Sequence, residues 1–144
     1  MGTSAFDALT VRFSVTDGIH QFFDLVDNGR ASAAGNLFHS DATLTFGPGS
    51  PQPGTISGED IKQAMQAREN LKSAFTRHFI GNIIFDRISP AGADVRYQMI
   101  LFRSDDESRP AMPAFVADVA EKWVMDESGT KIMTRTILPT FARS

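Results

Sequence analysis

The chain reads as an α+β domain in which three N-terminal helices pack inside a strongly curved, mostly antiparallel sheet. Three observations predict this. Apolar residues recur at helical spacing through the first half; from Thr76 onward the pattern changes to four long apolar runs; and short turn signals separate those runs. A chain of 144 residues suits one domain, 1–144, with a substantial core.

Each element has a local reason. Thr16 and Asp17 are N-cap residue types ahead of Ile19, Phe22, Phe23 and Val26, which share a helical face, and Asn28-Gly29 is a stop signal. Ala-rich sequence predicts a short second helix over about 31–38, ending in Leu37 and Phe38. Ala42 to Phe46 alternates like a brief strand, and the Gly- and Pro-rich stretch 47–54 reads as a loop. Ser57 is the expected cap of a third helix whose first turn carries Glu59 and Asp60, where the helix dipole favours acids. Its face runs through Ile61, Met65 and Arg68 toward Leu71.

Strands follow at about 76–87, 92–104, 114–125 and 131–138, with turns at 89–92, 105–110 and 126–129. Such spacing predicts antiparallel hairpins. Burying both layers is simplest if the sheet curls around the helices, which leaves a conical space lined by one face of each strand and places loop 47–54 near its mouth.

Composition narrows the function. A net charge of −3 and a pI near 5.5 argue against a nucleic-acid partner, since phosphate binding wants a basic face. Without cysteine there is no disulfide, thiolate nucleophile or cysteine metal site. The start of the chain lacks the layout of a secretory signal, and no apolar stretch is long enough to cross a bilayer, so a cytoplasmic protein without membrane contact is expected. Twelve Phe against one Tyr and one Trp suit a dense core or an apolar ligand cavity. Phosphate-cradling and dinucleotide glycine motifs are absent, and so is a GxSxG elbow. The expected chemistry is cofactor-free proton transfer on a hydrophobic small molecule.

His78, in Thr76-Arg77-His78-Phe79-Ile80-Gly81-Asn82, is the leading candidate for it, because imidazole titrates near neutral pH. Strict alternation places Thr76, His78, Ile80, Asn82 and Ile84 on one face, with Asn82 able to orient a carbonyl or hydroxyl. Asp118 lies in an apolar run and alternates with Ala120, whose small side chain leaves room for a ligand; Asp118 is either a ligand contact or a solvated strand position. Glu121 groups with Val119 and Trp123 on the other face. Arg68, Arg77 and Arg103 are weaker candidates for holding a carboxylate or a developing enolate. Asp41 suits a turn before the first strand. His20 and His39 suit exposed helical positions, which gives a metal triad little support.

The order of these elements, with particular phrases, resembles the NTF2-like superfamily, of cystatin-like fold, and its SnoaL-like branch. The phrases are Leu25 to Arg30, Leu37 to Ala42, Ile56 to Glu59, Thr76-Arg77-His78, and Trp123 followed by Arg135. His78-Phe79-Ile80-Gly81 looks most like the active-site strand of scytalone dehydratases, and Asp27 falls where those enzymes carry a pocket aspartate. Their second pocket histidine has no counterpart, and Arg103 lies in its region. Their tyrosines are also missing: Val26 precedes Asp27, and Phe46 occupies the first strand.

The resemblance implies a dehydratase, isomerase or cyclase in which His78 shuttles a proton and Asp27 orients it. Asn82, Arg103 and Asp118 would hold polar substrate groups, while Phe46, Ile80 and Ala120 line the pocket. A structural polar pair anchoring helix to sheet is the competing reading of Asp27 and His78. The resemblance further implies a homodimer through the outer sheet face, with Glu121 and Trp123 at that interface. The other class of protein with this likeness is a non-catalytic binding or assembly module, such as the small subunit of a ring-hydroxylating dioxygenase.

Overall fold

The computed structural model describes residues 5–106 and 112–142. Part of the turn expected at 105–110, and both ends of the span 1–144, lie outside them.

Helix α1 (Ala5–Asp27) carries Val11, Val15, Ile19, Phe22, Phe23 and Val26 as one buried stripe. Thr16 and Asp17 therefore sit within the helix and do not cap it: the stripe begins a full two turns earlier, and tertiary burial of Val11 and Val15 outweighs two good cap residues. The helix stops where expected. Gly29 takes a φ of 79°, the Arg30 N–H donates to the Leu25 carbonyl at 2.8 Å, and the Gly29 N–H donates to that of Val26 at 3.4 Å. This double closure fixes Asp27 in the last turn.

Helix α2 (Ala31–Ala34) passes into a 3₁₀ turn over Gly35–Leu37, and strand β1 (Phe38–Phe46) begins earlier than the alternation suggested. His39 and Asp41 thus lie on a strand; the Asp41 N–H donates to His39 Nδ1 at 3.0 Å. The end of the expected loop and Ser57 form strand β2 (Gly54–Ser57), antiparallel to β1, with Thr45 opposite Thr55. Helix α3 (Glu59–Asn70) is preceded by Gly58, without a side-chain cap.

Strands β3 (Phe75–Ser89), β4 (Gly92–Ser104), β5 (Met112–Asp126) and β6 (Gly129–Ala142) form the antiparallel meander. The six-stranded sheet has the order β2-β1-β6-β5-β4-β3, in which β1 and β6 pair in parallel. The β5–β6 turn is tied by Asp126, whose Oδ1 accepts from the Ser128 N–H and hydroxyl at 2.8 and 2.6 Å.

The helices cover the concave face, and the core lies between them. Val95, Tyr97 and Met99 of β4, Ala117, Val119 and Trp123 of β5, and Ile132 and Ile137 of β6 supply the sheet side. Gly18 permits the closest approach: a Cβ there would stand 2.6 Å from the Trp123 ring. The interior at this level is packed with side chains, so the expected conical space is filled there.

Candidate functional site

The site starts at the end of α1. Its last turn projects the Asp27 carboxylate against the opening of β3, and three groups of that strand converge on it. His78 Nδ1 lies 2.6 Å from Asp27 Oδ1, the Thr76 hydroxyl donates to the same oxygen at 2.8 Å, and the His78 backbone N–H donates to Oδ2 at 2.9 Å. Both side chains of the pair are withdrawn from solvent, with 6% of Asp27 and 12% of His78 exposed. Burial pushes the Asp27 carboxyl up, but the hydrogen bond and charge of His78, its backbone N–H and the Thr76 hydroxyl together hold it below the usual carboxylate range.

Two further contacts brace the pair. The Phe23 ring, one turn before Asp27, lies against the imidazole with centroids 4.8 Å apart. Arg77 donates from Nη1 to the carbonyls of Asp27 and Thr76 at 2.9 and 2.8 Å, pinning the helix end to the strand. His78 then borders a cleft of about 260 Å³, lined also by His20, Phe23, Asp24, Asn28, Arg77 and Ile80. An imidazole whose Nδ1 is committed to a carboxylate leaves Nε2 for chemistry.

Arginines flank this centre. Arg68, in the last turn of α3, donates from Nη2 to the Thr76 hydroxyl at 3.0 Å. Arg103 stands directly across the ladder from Thr76, and its Nε donates to Asp105 at 3.0 Å. Burial lowers the Arg68 pKa, and the charge of Arg103 lowers it further against the opposing pull of Asp27 and Asp105.

Other expected site residues lie elsewhere. Asn82 does not share a face with His78. The register shifts by one residue between Gly81 and Ile84, so Ile83 turns inward, and Asn82, at a φ of 54°, points outward and donates to Gln98 at 2.6 Å. Asp118 and Ala120 also face outward; with Asn82, Ile84, Arg96 and Leu138 they line a groove of about 530 Å³ on the convex side. Phe46, at the end of β1, packs against the core away from the His78 cleft. The structure therefore brings Asp27, His78 and Ile80 together, with Arg103 at the margin, and separates Asn82, Asp118, Ala120 and Phe46 from them.

Glu121 and Trp123 are corrected the other way. Both face the interior, where Glu121 Oε2 accepts from the Tyr97 hydroxyl at 2.8 Å and Oε1 accepts from the Trp123 indole at 2.9 Å. Arg135 Nε lies 3.2 Å from Oε2 as an ion pair without hydrogen-bond alignment, and its guanidinium covers the Phe22 ring at 4.3 Å. Burial raises the Glu121 carboxyl, with Arg135 acting against it, and Tyr97 is raised well above its usual value by burial and by the Glu121 charge. One signal could have revealed this cluster: the Val119/Trp123 face is bulkier and more apolar than the Asp118/Ala120/Lys122 face, so it belongs inside.

His39 is a half-buried strand residue, with Nε2 3.3 Å from Asp126, and not a helical one. Among the described residues no group of three His, Asp or Glu side chains could hold a metal ion, and no helix is long and apolar enough to span a membrane.

The fold recurs among solved structures. A candidate scytalone dehydratase from Novosphingobium aromaticivorans superposes with a TM-score of 0.82 at 17% identity, covering 97% of this chain and 91% of that one. An NTF2-like protein with a cystatin-like fold from the same organism gives 0.75 at 18% identity, with 92% and 83% covered. The β subunit of a candidate aromatic-ring-hydroxylating dioxygenase, again from that organism, gives 0.78 at 13% identity, with 94% and 93% covered. At such identities these likenesses establish the NTF2-like, cystatin-like fold alone. No curated protein matches the chain. The SnoaL-like domain matches residues 7–136, nearly the whole length, and with that match and this architecture the chain belongs to the SnoaL-like family.

Proposed function

We propose that the protein is a small-molecule lyase or isomerase that performs cofactor-free acid/base chemistry in the cleft between α1 and β3. The observation that carries this reading is the 2.6 Å contact of His78 Nδ1 with Asp27 at the edge of that cleft. Asp27 fixes the ring through Nδ1, and Nε2 exchanges the proton with substrate. In a dehydration, Nε2 removes the proton beside a carbonyl and the C–H pair becomes the new double bond. The β C–O bond breaks, and the departing hydroxyl takes that proton back from Nε2 and leaves as water. Ile80 and Phe23 supply apolar contact, which suits a cyclic, oxygenated substrate. The fold neighbour described as a candidate scytalone dehydratase supports the substrate class.

The test is a panel of cyclic β-hydroxy ketones followed by the loss of starting ketone and the absorbance of the enone. Turnover of one of them should fall by about 10²–10⁴-fold in His78→Ala, the usual contribution of a general acid or base. Undiminished turnover in that variant would remove the mechanism.

A second reading rests on the convex face, where Phe79, Ile100, Leu138 and Phe141 are exposed, Phe79 to 62% and Phe141 to 73%. Such a surface favours a partner. A second copy of this chain fits it as a homodimer; a larger catalytic subunit would fit it if the protein served assembly, as the dioxygenase β-subunit neighbour suggests.

A further inference from the structure

The groups around Thr76 are arranged to receive an anion. Asp27 directs Oδ1 to the Thr76 hydroxyl and His78 Nδ1, and Oδ2 to the His78 N–H, and among the described residues it forms no ion pair with Arg68 or Arg103. Arg68 reaches Thr76 from the helix side. Arg103 leaves β4 opposite Thr76 in the antiparallel ladder, which puts the two side chains on one face. Two cations thus stand beside the Thr76 hydroxyl, where the charges of Asp27 and Asp105 offset them only in part: Arg68 still has a lowered pKa. Among the described residues Arg68 gives a hydrogen bond only to Thr76, and Arg103 only to Asp105, just past the end of β4. Most of both planar forks is left for a ligand, and a carboxylate is the group they match.

We propose that Arg68 and Arg103 form a carboxylate-binding pair that anchors an acidic substrate with its reacting carbon beside His78. This rests on the His78–Asp27 reading and names the substrate class for it. Thr76 and His78 are two residues apart on one strand, roughly 7 Å. On binding, the ligand carboxylate takes the place of Asp105 on Arg103, an exposed and readily exchanged partner.

Calorimetric titration of the full chain with benzoate and with neutral benzamide of the same shape tests the pair. Benzoate should bind at least tenfold more tightly than benzamide, and the preference should shrink as salt is added. Arg103→Gln, at an exposed position, should weaken benzoate at least fivefold and leave benzamide unchanged; Arg68→Gln should do the same. Equal binding of the two compounds to the unaltered protein would overturn the proposal, as would an Arg103→Gln variant of unchanged melting temperature and unchanged benzoate affinity. If Arg68→Gln fails to fold, Arg103→Gln decides alone. These readouts need no turnover. Failure of the proton-transfer reading, seen as full activity in His78→Ala, is thereby distinguishable from failure of the anion pair.

Discussion

Asp27 shows how one carboxylate can serve stability and chemistry together. Its folded pKa is lowered, so its contribution is present in full above the unfolded value of about 3.9 and is lost as pH falls through the folded value below it. Urea unfolding of the native chain and of Asp27→Asn between pH 6 and pH 2.5 should show this. The variant should be less stable by roughly 1–3 kcal/mol at pH 6, and the gap should close in the acid range. A constant gap across that range would mean that the carboxylate charge is immaterial. The Glu121–Arg135 pair makes a different prediction. Glu121→Leu alone strands a buried guanidinium and should lose about 3–5 kcal/mol, whereas Glu121→Leu with Arg135→Met should recover most of it. A double variant as weak as the single one in denaturant titration would contradict this account.

Strand β3 is the element where sequence reasoning met its limit. Thr76, His78 and Ile80 were legible as one face from alternation, and so was the end of α1 at Asn28-Gly29, because each depends on neighbours in sequence. Asn82 was not legible. A bulge is decided by what β4 presents across the ladder, and strict alternation has no term for an extra residue. On β5, of the two readings of Asp118, ligand contact or solvated strand position, the structure shows the solvated one, because the bulk of Val119 and Trp123 makes the opposite face core. The bulge itself can be tested. Asn82→Gly should hold stability within about 0.5 kcal/mol, while Asn82→Val, a branched residue forced to positive φ, should lose about 1–2 kcal/mol in thermal or urea unfolding. Similar stability of the two variants would show that the backbone there relaxes freely.

For the molecule as a whole, the family and the fold were readable from the order of short phrases, whereas the location of the pocket was not. The cone is filled at its centre by Phe22, Trp123 and Arg135, and the open volume lies at the margin of α1 and on the convex face. That convex face yields the prediction proper to this scale. Light scattering coupled to size exclusion should report a dimer, and Phe79→Asp with Leu138→Asp should convert it to a monomer that keeps the native circular dichroism spectrum. A monomeric native protein would leave those exposed rings without a self-partner.

The lateral bond between the first long strand and the last has a temporal consequence. During synthesis, residues 38–46 leave the ribosome some ninety positions before the segment 129–142 that must lie beside them. Until then, among the described residues, the only strand beside that early stretch is the four-residue arm of 54–57. Nucleation is therefore expected in the late meander, with the newborn N-terminal portion waiting, its strand edge unpaired and prone to aggregation, for the final strand to dock.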